Sequence, residues 1–152
     1  MLLQVKYGSY PLRHVREIGS RLPALKTAMG HALLARLSDE ALETRFAATG
    51  EFASVPSELR PRLLAIRRRG FVVATSVLTP GITTIAAALV DPATRDSIAI
   101  ALAFPDSAAD RQLQRRMSEV LLSKATEVGR RIEDPGWQAA GSRRIDRPER
   151  KR

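Results

Sequence analysis

The length and composition of the chain suit one domain: of its 152 residues, 44% are hydrophobic and 27% are charged, enough for a packed core. Cysteine is absent, which excludes disulfide bonds, a thiolate nucleophile and a cysteine-ligated metal. The net charge of +9 favours polyanionic partners, but the last ten residues, with six basic and two acidic side chains, supply +4 of it. Because no apolar run approaches the roughly 18 to 20 residues of a membrane span, and Met1–Tyr10 lacks the basic-then-apolar order of a signal peptide, we expect a soluble, cytoplasmic protein.

The first third of the chain predicts two strands followed by two helices. Weak alternation in Leu2–Tyr7 and Leu12–Ile18, on either side of the turn residues Gly8–Pro11, predicts an antiparallel pair. Apolar spacing then predicts a helix over Thr27–Leu37. Ser38, a hydroxyl N-cap followed by two acids, opens a second helix that reaches about Ala47.

The middle of the chain predicts a third helix and three strands. Ser57 is the expected N-cap of a helix through Arg69, and Gly70 suits its left-handed end. Strands are expected at Phe71–Val77, Ile82–Val90 and Ser97–Phe104, and the last two flank a polar hairpin loop.

A long helix and a basic tail complete the predicted order. The helix begins at Asp106 or Ser107 and ends near Ile132. Its sheet-facing side is expected to consist of Leu113, Met117, Val120, Leu121, Lys124, Val128 and Ile132. Residues 1–134 are then one domain and 135–152 a basic tail, disordered from Gly141 onward. Helices combined with antiparallel hairpins make the predicted fold class α+β.

Three stretches of the chain carry motifs that occur together in a known family. They are Val15–Ala35, with Gly-Ser-Arg-Leu-Pro and Thr-Ala-Met-Gly, continued by Leu37–Glu40; Ile66–Val73, with Ile-Arg-Arg-Arg-Gly-Phe; and Pro80–Leu89, with Pro-Gly-Ile-Thr-Thr-Ile-Ala-Ala. In order and distance they resemble the effector-binding domain of IclR-type bacterial transcription regulators. The resemblance covers about residues 3–132.

What the resemblance implies is a GAF-like, or profilin-like, antiparallel sheet flanked by helices, with a long C-terminal helix. A small-molecule effector would bind between the sheet and the helix that carries the Thr-Ala-Met-Gly motif. Such domains form homodimers or tetramers and pass the state of the ligand to an N-terminal helix-turn-helix, which is the part that touches DNA. No helix-turn-helix can be recognised in this chain, so we expect DNA contact only through a separate domain.

The first residues of the chain correspond to a strand in the middle of the family's effector-binding domain, and this start has two interpretations. Either it is an excised or mis-started fragment, or it is a natural remnant. If the family's first strands are absent, the sheet has an unpaired edge, which favours pairing between chains or aggregation.

The candidate effector-binding residues are mostly apolar. They are Leu25, Ala28, Met29, Gly30, Ser76, Val77, Thr84, Ala101 and Ala103. Gly30 would let backbone amides approach a ligand, or alternatively would only let its helix pack closely.

Several of these positions depart from the family pattern. Acidic residues of the family are replaced by Ala74–Val77, its pocket cysteine by Thr84, and two serines by Ala101 and Ala103. Because buried polar ligand groups need partners, we expect an effector that is more apolar or aromatic than short polar acids. A pocket that binds nothing is the alternative.

Other functions have weaker support in the sequence. With two histidines and no clustered carboxylates, no catalytic site, metal or cofactor is expected. The arginines at positions 60, 62 and 67–69 could contact DNA phosphates, or form a solvated helix face. The alternative to a ligand sensor is a stand-alone oligomerisation module that needs no ligand and competes with full-length relatives.

Overall fold

The computed structural model describes residues 1–6, 8, 17–49, 54–108 and 110–138. The helices and strands in chain order are α1 Ala28–Leu34, α2 Asp39–Thr49, α3 Leu59–Arg69, β1 Val72–Thr75, β2 Ile82–Val90, β3 Ser97–Pro105, α4 Arg111–Arg131 and α5 Pro135–Gln138. Short 3₁₀ turns lie at Ala24–Lys26 and Asp106–Ala108. The α+β class, the antiparallel sheet and the long C-terminal helix are confirmed.

The sheet has three antiparallel strands in the order β1-β2-β3. β2 is central, and its run of apolar and small residues suits a strand that is covered on both faces. Thr84 lies opposite Ala74 of β1 and Ala103 of β3. The polar loop between β2 and β3 closes around Asp91, whose side chain accepts a hydrogen bond from the Ala93 amide at 2.8 Å. The hairpin therefore forms where the sequence predicts it, and β1 is shorter than predicted.

Alternation along β2 divides the core into two layers. One face of the sheet packs on α1, α2 and α3, and the other packs on α4 and α5. The first layer contains Ala28, Ala32, Leu34, Leu42, Phe46, Leu59, Leu63, Ile66, Val72, Ala86 and Ala88. The second contains Ile85, Ala87, Leu89, Leu121, Ala125 and Trp137.

The helix ends show which local signals act as caps. Ser38 caps α2 as predicted, because its hydroxyl accepts the Ala41 amide at 3.1 Å. The prediction that Ser57 caps α3 is wrong: the helix begins at Leu59 after Glu58, without a side-chain cap. Gly70 ends α3 as predicted, with a φ of 82° that favours glycine.

The start and the buried face of α4 also differ from the predictions. Asp106 belongs to a 3₁₀ turn, and the cap is Asp110, which accepts the Leu113 amide at 2.6 Å. Val120, predicted on the sheet side, is 47% exposed. Ala125 is fully buried instead, since a close approach of helix and sheet selects a small side chain.

The C-terminal part of the described chain packs against the sheet. Asp134 has no exposed surface; its carboxylate pairs with Arg36 and accepts the amides of Val90 at 2.8 Å and Gly136 at 2.9 Å. Trp137, in α5, is 4% exposed. The division of the chain at residue 134 remains a prediction, and residues 139–152 lie outside the described range.

Of the two predicted N-terminal strands, the second lies mostly outside the described residues, which omit 7 and 9–16. The first is described over residues 2–6, which are not in a strand, so that prediction is wrong there. Leu2 nevertheless exchanges backbone hydrogen bonds with the two residues that follow the second predicted strand, donating to Ser20 at 2.9 Å and accepting from Gly19 at 2.8 Å. These two contacts hold the first residues beside the turn that leads into α1.

Candidate functional site

The middle of one face of the sheet is rich in small side chains. Strand alternation and register place on this face, besides Val72, Ile82 and Val90, the residues Ala74, Thr84, Ala86, Ala88, Ala99, Ala101 and Ala103; we call these seven residues the alanine face. Ala86 and Ala88 lie under α1 and are buried, whereas Ala101 and Ala103 are exposed. The face is therefore covered at one end and open at the other, where Thr84 carries its hydroxyl.

The predicted site residues on α1 and before it lie beside this face. Ala28 is buried, and Leu25 and Met29 pack against the same cluster as Ala86 and Ala88. The structure thus brings Leu25, Ala28 and Met29 to the side of the sheet that also carries Thr84, Ala101 and Ala103. Their role in binding an effector stays a prediction.

The packing around Gly30 explains why this position is a glycine. A Cβ atom at this position would lie 2.1 Å from the carbonyl oxygen of Ala24, so only glycine allows the 3₁₀ turn to pack on α1. Its amide donates to the Thr27 hydroxyl at 3.0 Å and is not a free donor. Of the two interpretations given above, close packing agrees with these contacts, although the partner is the backbone of Ala24.

Ser76 and Val77 lie in the loop after β1. The Ser76 hydroxyl accepts the Thr79 amide at 3.0 Å, which stabilises the turn. Val77 is 73% exposed. The structure therefore does not bring Val77 into the apolar group formed by the other predicted residues.

A groove that the sequence analysis missed runs between α3 and β1. It has a volume of about 390 Å³, and its lining consists of His31, Arg62, Ala65, Ile66, Arg69 and Phe71–Thr75. We call it the arginine groove. Three of its side chains are basic and none is acidic. Its only signal in the sequence was the density of arginines on α3.

His31 contributes a buried imidazole to this groove. The residue is 6% exposed, and its Nε2 lies 2.9 Å from the carbonyl oxygen of Leu25. Nδ1 is buried and has no hydrogen-bond partner among the described residues. Burial lowers the pKa of His31, the nearby Arg62 guanidinium lowers it further, and the hydrogen bond to Leu25 acts in the opposite direction. The imidazole is therefore neutral at pH 7, with Nε2–H donating and Nδ1 left as an acceptor.

The arginines of α3 fall into two groups. Arg60 pairs with Glu43 and Asp39, and Arg67 binds Asp39 and donates to the carbonyl oxygens of Ala35 and Leu37. In the part of the chain that the structure describes, Arg62 and Arg69 have no acidic partner. Arg68 also lacks an acidic partner among the described residues, but it lies outside the groove lining. Neither groove arginine is therefore paired with a described carboxylate.

Within the described ranges, no three histidine or acidic side chains are close enough together to hold a metal ion. No helix in those ranges combines the length and apolarity needed to cross a membrane.

Comparison with protein families relates the chain to transcription regulators. Residues 1–130 match the family described as the bacterial transcriptional regulator IclR C-terminal domain. No curated protein matches the sequence.

Solved structures with the same fold include three regulators. The Agrobacterium tumefaciens repressor BlcR is 28% identical, with a TM-score of 0.66, and the match covers 80% of this chain and 51% of BlcR. Pseudomonas aeruginosa HmgR is 24% identical, with a TM-score of 0.69 and coverages of 90% and 55%. An IclR transcriptional regulator from Alicyclobacillus acidocaldarius is 19% identical, with a TM-score of 0.65 and coverages of 80% and 51%. The chain therefore spans about half the length of these structures.

Proposed function

Because this chain belongs to the family of IclR-type C-terminal domains, whose members are transcriptional regulators and not enzymes, we propose that it is the effector-sensing and oligomerisation domain of such a regulator. It binds a small organic effector, and a helix-turn-helix in a separate domain makes the contact with DNA. The protein acts in the cytoplasm. BlcR, half of whose length this chain matches, is a repressor.

The alanine face is the observation that carries the proposal. Ala86 and Ala88 are covered by α1, whereas Ala101 and Ala103, beside Thr84, are exposed and leave that part of the face open to an incoming molecule. Ligand pockets are mainly apolar with a few polar groups that fix orientation. Here Thr84 supplies a hydroxyl, and Leu25, Ala28 and Met29 supply an apolar wall.

The same composition favours an apolar or aromatic acid as effector. A short acid with several polar oxygens would lose its water shell on this face and find few partners, at a cost of roughly 1–3 kcal/mol for each unpaired group. An aromatic body instead gains by covering alanine side chains. One polar group of the ligand can then bind the Thr84 hydroxyl.

Self-association is the second part of the proposal. Among the described strands, β3 pairs with β2 on one side only, and its residue Ile98 is 40% exposed. Val120 on α4 is 47% exposed. A free strand edge beside exposed apolar side chains favours pairing with a second copy, so a homodimer or tetramer is expected, to be measured by light scattering during gel filtration.

A thermal-shift screen of the chain against aromatic and aliphatic acids tests the sensing role. A ligand that binds only the folded state must raise its stability, so aromatic acids are expected to raise the Tm. Ala101→Leu and Ala103→Leu, which narrow the open end of the alanine face, should reduce that increase. Ala48→Leu, at an exposed position on α2, is the matched control.

Two results would contradict the proposal. One is a screen in which no acid raises the Tm, which would leave a ligand-independent oligomerisation module. The other is calorimetric binding of short hydroxy or keto acids with none of aromatic acids, which would exclude the proposed class of effector.

A further inference from the structure

We propose that the arginine groove is a second ligand site, which adjoins the alanine face at Ala74, and that it binds a small organic carboxylate through Arg62 and Arg69 while His31 accepts a hydrogen bond from a donor group on the same molecule. The site lies along β1, which among the described strands pairs with β2 only. It goes beyond the sensing role proposed above, because none of the candidate effector-binding residues lines the groove.

The charge of the groove selects an anion. Arg62 and Arg69 are two helical turns apart on α3 and both line it. The acidic residues that form ion pairs with α3, Asp39 and Glu43, bind Arg60 and Arg67 and not the groove arginines. Guanidinium groups match carboxylates in charge and in hydrogen-bond geometry, so two unpaired ones over a concave surface favour a carboxylate.

The buried His31 favours a ligand that also carries a hydrogen-bond donor. An acceptor atom enclosed by protein without a partner costs free energy, and His31 Nδ1 is such an atom. A hydroxyl or amide N–H on a ligand would supply the missing hydrogen bond after a small movement of the groove lining. A ligand with both a carboxylate and a donor group thus satisfies both features.

The volume and the lining of the groove determine the size and polarity of the remainder of the ligand. A volume of about 390 Å³ lies at the lower end of the range for small-molecule sites and exceeds what a single inorganic anion needs. Ala65, Ile66 and Phe71 make part of the wall apolar. The ligand is therefore a small carboxylate with an apolar body, of the size of a substituted benzoate.

Nitrogen-edited NMR titration of the full chain with 3-hydroxybenzoate, benzoate and benzamide tests this assignment. We expect 3-hydroxybenzoate to shift the side-chain signals of Arg62 and Arg69 and the ring nitrogens of His31, with saturation. Benzamide, which lacks the charge, should bind at least tenfold more weakly. The affinity of benzoate, which lacks the hydroxyl, should lie between those of 3-hydroxybenzoate and benzamide.

Substitutions distinguish ligand binding in the arginine groove from binding at the alanine face. The double substitution Arg62→Gln and Arg69→Gln should weaken 3-hydroxybenzoate binding at least tenfold, whereas Arg68→Gln, the same charge change at an exposed residue outside the groove lining, should leave it unchanged. His31→Asn should abolish the preference for 3-hydroxybenzoate over benzoate. Unchanged affinity in the double variant, shifts confined to alanine-face residues outside the groove lining, or no shifts with any probe would each overturn the proposal.

Discussion

The indole Nε1 of Trp137 donates a hydrogen bond to the carbonyl oxygen of Ala88 at 2.9 Å, across 49 residues of sequence. Ala88 belongs to the central strand, and Trp137 lies on the short helix that follows α4. A Cβ atom at Gly129 would lie 2.5 Å from Cβ of Trp137, so the absence of a side chain on α4 makes room for the indole. The end of the described chain is in this way fixed to the face of the sheet opposite α1.

Trp137→Phe should lower the free energy of unfolding by about 1–3 kcal/mol, because it removes the donor to Ala88 and keeps most of the apolar contact. Trp137→Ala should cost about 3–5 kcal/mol, because it also leaves a cavity. Far-UV circular dichroism in urea is the suitable measurement, since Trp137 is the only tryptophan. Gln112→Ala, at an exposed position on α4, should change stability by less than about 0.5 kcal/mol. A Trp137→Phe protein as stable as the wild type would show that the hydrogen bond contributes nothing.

Gly30→Ala should destabilise the domain by about 1–3 kcal/mol or more, because a methyl group there overlaps the backbone of Ala24, which cannot rotate away as a side chain can. The thermal midpoint of unfolding measures the loss. Gly8→Ala is the control, because a Cβ atom at Gly8 would have no neighbour within 4 Å. Equal midpoints for the two variants would contradict the close packing of the 3₁₀ turn on α1.

The elements that were predicted well from the sequence depend on residues that are close together in the sequence. β2 and β3 are apolar runs joined by a polar loop around Asp91, and their bounds agree with the predictions to within one residue. Ser38 and Gly70 also act through neighbours in sequence, since a cap bonds within its own helix end. The start of α4 was missed because Asp106, Ser107 and Asp110 are all chemically suitable caps.

The relationships that the sequence did not reveal are set by packing across long separations. Asp134 looked like the end of a helix, but 98 residues separate it from Arg36, its buried ion-pair partner. Of the predicted site residues, Thr84 and Ala103 could be paired once the hairpin register was known. His31 and Arg62 meet only because α1 and α3 pack side by side, and no periodicity within either helix indicates the arginine groove between them.

The titration of His31 should make stability depend on pH in a defined direction. Its folded pKa lies below the ordinary value of 6.5, so between the folded and unfolded pKa values the unfolded chain binds more protons. The free energy of unfolding should therefore hold its full value above about pH 6.5 and decrease as the pH falls below it, by up to about 1.4 kcal/mol per pH unit from this group. Urea unfolding from pH 8 to pH 5 measures the slope. His31→Gln should flatten it above pH 5, where most carboxylates have yet to titrate, while His14→Gln serves as the control for loss of a histidine. An unchanged slope in His31→Gln would mean that the buried imidazole is not the group responsible.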